Sequence, residues 1–492
     1  MTRTFAALLL AALCTAGEAS AQRLGIDGRR FTIDGTPRFL MFISYFGAMG
    51  AKDLIADLDF VKAAGFDGVR IWPNSPDGPQ LMRTDGTLDP DNLSKLLGIL
   101  EAANARRIIV DVTFTAEHIA GMDASLYGRA IAAAIDPMRP YRNLLIDIEN
   151  ERNIYGPFKR PLAAADVVAI KDAIKAIDPA RIVTASNSQD LPAADAGRFT
   201  GGTGLDVAAY HDPRRSGFHE AAQIESLVQA LAVSGRPIYF QEPIRFTRDI
   251  ADRAEYFFTA AVNARRAGAA AWCFHTELGF NVRTQLFRER LQSRSEPDWA
   301  FVTSLAPRVF LRTSDATHFV SAAGGGGSSV VADSRVPAAW ETFAVRAVDG
   351  GPIVSGDRVT IWTADNRHLL QASEGGGTSL NATATAAGPW ETFIVEKNDA
   401  RPLSDGDVIA IRTATTTPWY VGAELGGGGP VNVNRRSRGE WETFSVVSAG
   451  AAALEASSRA APRADRGSRR AARERSTPRL RRPTARAPLP RA

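Results

Sequence analysis

The chain reads as an α/β protein, a (β/α)8 TIM barrel followed by an all-β unit. Short apolar runs alternate with helically spaced apolar residues eight times between residues 39 and 305, the count and approximate length of such a barrel. Past Pro307 the pattern changes to short runs, turns and glycine clusters, and a four-residue motif recurs three times. A chain of 492 residues exceeds one ordinary domain, and 45% hydrophobic residues provide for more than one core.

Each element has a local reason. Residues 31–37 form a hairpin with Asp34-Gly35 at its turn, leading into an apolar strand over 39–45. A helix carries Leu54, Leu58 and Val61 on one face and stops at Gly65. The second strand is 68–72, and Leu93, Leu96, Leu97 and Leu100 repeat the helical spacing before a third strand over 108–114. The fourth strand, Leu144-Leu145-Ile146-Asp147-Ile148, runs straight into Glu149, Asn150 and Glu151. A helix over 163–177 ends at Asp178-Pro179 and feeds a strand over 182–186, with the sixth strand at 205–211. A helix over 220–233 precedes a strand over 236–242, and a helix over 250–267 precedes the eighth strand, 270–274. A doubly wound open sheet is the rival arrangement, but no glycine-rich phosphate loop follows the first strand.

In the second half, Trp340-Glu341-Thr342-Phe343, Trp390-Glu391-Thr392-Phe393 and Trp441-Glu442-Thr443-Phe444 recur at intervals of 50 and 51 residues. Each follows a glycine cluster, at 324–327, 375–377 and 426–429. Three copies of a unit unable to bury its own apolar face predict a threefold closed structure, with Trp and Phe of each copy as core pegs.

At the N-terminus, Arg3, the apolar run 5–14 and Ala19-Ser20-Ala21 match a secretory leader cleaved before Gln22. A lipoprotein anchor on Cys14 is the alternative, but Leu13 stands where that signal takes a small residue. The expected location is therefore secreted or periplasmic. Only Cys14 and Cys273 occur, so the mature chain has no internal disulfide and no thiol-based metal site. Net charge is +4, yet the segment from Leu454 onward holds twelve Arg against three acidic residues. This Arg/Pro/Ala-rich tail, 453–492, is expected to be disordered. Its charge suits acidic envelope surfaces, and a plain solvated appendage is the other reading. Neither a membrane span nor a nucleic-acid partner is expected.

Two apolar strands end in glutamate, at Glu151 and at Glu242. In a parallel barrel the carboxyl ends of the strands open onto the active-site face, and a pair of carboxylates there is what glycoside hydrolysis requires. Asp111, Asp147, Glu149, Glu117 and Glu277 also fall near strand ends and read as supporting or loop charges.

These marks give a resemblance. Residues 22–305 resemble a clan A glycoside hydrolase, most similar to family 5 and its cellulase-like members. The matching residues are Arg70, Asn150-Glu151, Tyr210-His211, Glu242 and Trp272. The resemblance implies a retaining mechanism with Glu151 as acid/base and Glu242 as nucleophile, carboxyls about 5 Å apart, and no metal or cofactor. It implies that Arg70 orients Glu242, that Asn150 holds the sugar 2-hydroxyl, and that Tyr210, His211 and Trp272 contact substrate. Glu151, shielded from solvent, is expected to have the raised pKa, with Glu242 kept ionised by an arginine and a tyrosyl hydroxyl. Three departures stand out. Arg152 replaces the usual proline, Thr113 occupies a position that often holds histidine with His118 displaced, and Pro213 breaks the sixth-strand pattern.

Residues 308–448 resemble a fascin-like β-trefoil, on the Trp-Glu-Thr-Phe repeats and their glycine clusters. Beside a hydrolase-like barrel, this implies a carbohydrate anchor. The expected activity is hydrolysis of a β-linked polysaccharide or oligosaccharide, glucan or mannan. The alternative is a non-catalytic polysaccharide-binding or adhesion protein whose barrel is a relic.

Overall fold

The computed structural model describes residues 22–74, 78–116, 119, 121–156, 159–212, 216–243, 254–275, 288, 302 and 305–449. The leader 1–21, the tail 453–492, Glu117, His118 and Glu277 lie outside the described residues. Among the described residues no helix is long and apolar enough to cross a membrane.

The chain begins with a small antiparallel sheet, Leu24–Asp27, Arg30–Ile33 and Thr36–Arg38. Its second turn places Asp34 and Gly35 at φ 52 and 83, the left-handed pair that matches strand twist in a tight hairpin. Phe31 joins the barrel's inner apolar cluster.

Eight parallel strands follow: β1 (Leu40–Ser44), β2 (Gly68–Ile71), β3 (Ile109–Thr113), β4 (Leu144–Asp147), β5 (Ile182–Thr184), β6 (Ala208–His211), β7 (Ile238–Glu242) and β8 (Ala271–Phe274). They pair in the order β5-β4-β3-β2-β1-β8-β7-β6. Hydrogen bonds from Asp206 N to Val183 O and from Asn187 N to Ala209 O join β5 to β6 and bring the sheet round on itself. The connecting helices are α1 (Leu54–Ala63), α2 (Pro90–Ala105), α3 (Ala124–Met138), α4 (Ala164–Ile177), α5 (Ala193–Thr203), α6 (Ala221–Leu231) and α7 (Ala254–Ala267). Asp53, Asp89 and Asp123 cap α1, α2 and α3 through their side chains.

The strands' period of two separates two apolar layers. Leu40, Phe42, Ile109, Leu145, Ala209, Tyr239 and Cys273 fill the barrel interior. Met41, Ile43, Val69, Ile71, Tyr210 and Trp272 face the helices. That alternation decides which side chains can reach the barrel mouth.

The second unit has twelve antiparallel strands in three copies of four: β9 (Arg308–Arg312), β10 (Phe319–Ala322), β11 (Val330–Ser334) and β12 (Phe343–Ala347); β13 (Arg358–Thr363), β14 (Leu369–Ala372), β15 (Thr378–Ala384) and β16 (Phe393–Lys397); β17 (Val408–Thr413), β18 (Tyr420–Ala423), β19 (Val431–Arg435) and β20 (Thr443–Ser448). The outer strands pair around a ring, β9-β12-β13-β16-β17-β20 and back to β9. The inner pairs form one hairpin per copy. A single apolar core holds Phe343, Phe393 and Phe444 at 0–1% exposure.

The tryptophans of the motif are not core pegs: Trp340, Trp390 and Trp441 are 53%, 46% and 37% exposed. The phenylalanine begins or enters an inward-facing strand, whereas the tryptophan sits three residues earlier in the turn. There the indole edge lies over glycine. A Cβ on Gly325, Gly375 or Gly426 would come within 3.3–3.6 Å of the indole Cδ1.

The two units meet at the strand-entry end of the barrel. Phe39 N donates to Asp349 O at 3.0 Å, Arg38 Nη1 to Ala347 O at 3.2 Å, and Arg265 Nη2 to Asp357 Oδ2 at 2.8 Å. Gly350 is fixed here twice over, because its φ is +83 and a Cβ would lie 2.0 Å from Phe39 O. We expect Gly350→Ala to cost more than about 1 kcal/mol and to loosen this contact. Calorimetry should show the single or merged transition of the parent splitting in two, and an unchanged profile would mean that the contact is not stabilising.

Candidate active site

Arg70, inward on β2, organises the barrel mouth. It is fully buried, and among the described residues its guanidinium faces an unusual number of acceptors. Nη1 donates to Glu242 Oε1 at 2.6 Å, Nη2 to Asn150 Oδ1 at 2.7 Å, and Nε to Thr113 Oγ1 at 2.9 Å. Asp111 and Asp147 flank it at 3.6 Å each. A planar fork satisfies several fixed acceptors at once, which a lysine ammonium does not. Thr113, which stands where the resembled family often has histidine, thus takes part in holding the arginine.

Glu242 reaches this position through an irregularity. Tyr239 and Gln241 face the interior, so strict alternation would turn Glu242 toward the helices. The β7–β6 register shifts between Phe240 and Glu242, and such a slip re-aims a side chain. Glu242 Oε2 then lies 3.5 Å from His211 Nδ1 and 3.4 Å from His275 Nε2. Burial pushes the Glu242 carboxyl up, but His211, His275 and Arg70 outweigh it and hold it well below the usual carboxylate range.

Glu151 stands opposite, just past β4, at φ +49. A left-handed glutamate is strained by about 1–3 kcal/mol, and the surrounding hydrogen bonds keep it there. Glu151 N donates to Ser186 Oγ at 2.9 Å, and the flanking Asn150 N and Arg152 N donate to Phe114 O and Ser186 O. Proline at 152 could not donate that last bond, so Arg152 serves the turn in its own way. Its guanidinium bonds Asn187 Oδ1 at 2.8 Å and lies over the Phe199 ring.

His211 connects the two carboxylates. Its Nδ1 is 3.0 Å from Glu151 Oε1, and one oxygen of each glutamate together with a His211 nitrogen all lie within 4.8 Å of one another. The other ring nitrogen faces Gln241 Oε1 at 3.4 Å, while Gln241 Nε2 donates to Asp111 Oδ2 at 2.8 Å. Because Asp111 accepts from the amide nitrogen, Gln241 offers its oxygen to His211, and Nε2 carries the imidazole proton. Nδ1 is then the nitrogen that shares a proton with Glu151.

That contact corrects one expectation. Burial raises the Glu151 carboxyl, but the hydrogen bond and charge of His211 bring it below its usual value. The order of the two glutamates still stands, since Glu242 is the more strongly depressed. The ionising partners also differ: two imidazoles and Arg70 surround Glu242, where an arginine and a tyrosyl hydroxyl were expected.

Two predicted contacts lie elsewhere. Tyr210 is 1% exposed in the helix-facing layer and its hydroxyl donates to Leu191 O at 2.9 Å. Trp272 is 2% exposed in the same layer and stacks with Phe274, which in turn packs edge-on against Phe257 of α7. Neither faces the mouth, because His211 and Cys273 take the inward positions beside them. Period two from Cys273 points instead to His275, whose Nδ1 is bonded to Ser44 Oγ at 2.8 Å. The aromatic surface at the site is Trp72, stacked on Phe46 at 4.1 Å and carrying Arg70 over its face at 4.4 Å. His275, Gln241, Ser44, Phe46 and Trp72 were the residues that sequence reasoning missed.

The described carboxylates near the other strand ends, Asp111, Asp147 and Glu149, are structural. Glu149 is buried against Lys159 at 3.1 Å and accepts from Ala116 N. Burial raises Asp147 and pushes Asp111 up to about 6. One nitrogen and two carboxylate oxygens so close together also have the chemistry of a divalent-cation site, while Arg70 already donates to Glu242 Oε1 and His211 Nδ1 lies within hydrogen-bond distance of Glu151 Oε1.

No protein-family model and no curated protein matches the chain. Among solved structures it is similar to a GH5_18 protein from Streptomyces cattleya bound to GlcNAc, at 19% identity and TM-score 0.38, covering 49% of this chain and 70% of that one. An endo-1,4-β-mannanase from Rhizomucor miehei matches at 15% identity and TM-score 0.40, with 51% and 90% covered. A β-mannanase from the blue mussel Mytilus edulis matches at 15% and 0.40, with 56% and 98% covered. The architecture above rests on the chain's own strand pairings.

Proposed function

We propose that the chain is an exported retaining β-glycosidase that cuts O-glycosidic bonds of a β-linked glucan or mannan. The observation that carries the reading is the approach of Glu151 and Glu242 at the strand-exit mouth, with carboxylate oxygens within 4.8 Å. An inverting enzyme needs room for water between carboxyls about 6.5–9.5 Å apart, whereas a retaining pair stands about 5–5.5 Å apart. In the first step Glu151 gives its proton to the leaving oxygen as Glu242 forms a bond to the anomeric carbon. In the second, Glu151 takes a proton from water as that water displaces Glu242. In the resting enzyme His211, with Nε2 committed to Gln241, shares the Glu151 proton at Nδ1, and that proton departs with the leaving group in the first step. Arg70 occupies Asn150 Oδ1, so the Asn150 amide nitrogen is the end left to donate to a sugar hydroxyl.

The C-terminal ring with its three hairpins is read as a β-trefoil of fascin-like kind, acting as a carbohydrate anchor. Its attachment at the opposite end of the barrel from the glutamates keeps it out of the cleft. Hydrolysis of β-mannans, β-glucans, xylan and aryl β-glycosides by the mature chain tests the reading, with product stereochemistry followed by proton NMR. The first product should keep the β configuration, and chelator should leave the rate unchanged. An α product would refute the retaining mechanism. No turnover, with binding to insoluble polysaccharide preserved, would favour the adhesion reading.

A further inference from the structure

Three of the four residues in each Trp-Glu-Thr-Phe motif have a folding role in the C-terminal unit. Phe343, Phe393 and Phe444 fill its core. Glu341 accepts from Ala338 N and Glu442 from Gly439 N, each at 2.8 Å, while Glu391 accepts from Gln371 Nε2 at 2.7 Å. Thr342 and Thr392 donate to the carbonyls four residues back, and Thr443 to Glu440 O. The indoles alone face outward, at 53%, 46% and 37% exposure. Large flat apolar surfaces left in water at equivalent positions point to contacts outside the fold.

The three copies also provide an internal comparison. Six, four and one residues before the indole, the first copy has Ser334, Val336 and Ala339, and the second has Ala384, Ala386 and Pro389. The third has Arg435, Ser437 and Glu440, which with Gly439, Trp441 and Glu442 line an open pocket. The Arg435 guanidinium is fixed, donating to Glu424 Oε2 at 2.8 Å and Asn434 Oδ1 at 2.7 Å, and it lies 5.9 Å from the centre of the Trp441 ring. Ser437 and Glu440 are exposed. The scaffold is common to the copies, and the polar groups beside the indole are not.

We infer that the third copy carries a pyranose-binding site, with Trp441 as the stacking face and Arg435, Ser437 and Glu440 as hydroxyl partners. A pyranose has an apolar C–H face and an equatorial rim of hydroxyls, and a half-exposed indole beside a fixed guanidinium, a hydroxyl and a carboxylate complements both. The inference rests on the proposed action on polysaccharide and assigns the anchoring to one copy. Because the unit docks at the strand-entry end of the barrel, one sugar cannot span this pocket and the glutamates. The site therefore serves only long polymers, by raising the effective concentration of chain near the cleft.

The test uses the full chain and the polysaccharide that it hydrolyses, in insoluble form, with Trp441→Ala, Trp441→Phe, Trp340→Ala and Trp390→Ala. Depletion binding should weaken about ten-fold for Trp441→Ala, the effect of losing one well-placed aromatic contact. Trp441→Phe should recover most of it, and the other two should stay within about two-fold of the parent. Polymer hydrolysis should fall with Trp441→Ala while the rate on aryl glycosides does not change. Binding within two-fold for Trp441→Ala, or equal losses at all three tryptophans, would overturn the assignment. So would a parent that hydrolyses soluble substrate without binding the insoluble form, and that result would leave the proposed activity standing.

Discussion

Replacing Glu242 with alanine should abolish turnover while leaving the fold intact. The loss should be about ten-thousand-fold or more, the scale seen when a covalent nucleophile is removed. Arg70 would lose one acceptor but keep Asp111 and Asp147 at 3.6 Å, so the buried cation stays compensated and the melting temperature should change little. The vacated space lies beside a guanidinium and near two imidazoles, a good seat for a small anion. Azide should therefore restore part of the rate on an activated aryl β-glycoside and give the α-glycosyl azide. Glu151→Ala should differ, since azide would then attack the glycosyl-enzyme and give the β-azide. A Glu242→Ala variant that retains a tenth of the parent rate, or yields the β-azide, would remove Glu242 from the nucleophile's role.

The barrel was legible because its signal is carried by many residues at once. Every strand is a short apolar run, and most helices show a face of Leu, Ile or Val. The helices not read were α3 and α5. Helix α5 holds Gly197, Gly201 and Gly202 and shows no bold apolar stripe, whereas α3 buries Tyr127, Ile131, Ile135 and Met138 at helical spacing, a signal the sequence did carry, with Pro137 breaking the pattern near its end. In the site, what could be read was the residue at each strand end whose alternation is undisturbed, as with Arg70. The misplacements came from ignoring the period of two. If His211 and Cys273 point inward, Tyr210 and Trp272 must point out and His275 must point in, a deduction open to the sequence alone. The register slip that turns Glu242 inward has no such mark. The sequence offers Glu242 as the glutamate ending an apolar strand, and its nucleophile's role comes from the family resemblance. Nor could spacing show that His211 sits against Glu151 and reverses the direction of its pKa. The tryptophans of the repeats failed for a different reason: a repeated aromatic is usually a peg, but here a glycine turn lets the indole lie flat on the surface.

Arg70→Met should be the most destabilising single change in the barrel, and its effect should depend on pH. The side chain is fully buried among Glu242, Asp111 and Asp147. Removing the cation leaves carboxylates uncompensated, which costs about 3–5 kcal/mol when one partner of a buried pair is lost. In the parent, burial already raises Asp111 to about 6, above its unfolded value of 3.8. The folded state thus binds the extra proton, and this group's contribution falls as pH rises between those two values. Glu242 works in the opposite sense. Its folded value is depressed, so its contribution is present above the unfolded pKa and lost as acid drives the pH down through the folded one. Methionine at 70 removes a cause that lowers all three carboxyls, so each moves up and the unfavourable window widens toward neutrality. Thermal unfolding of the variant at pH 7.5 should show the full loss, and at pH 5 a large part of it should be regained by protonation. Equal losses at the two pH values would mean that Arg70 acts by packing, and the account of the barrel mouth as a charge cluster balanced on one guanidinium would fail.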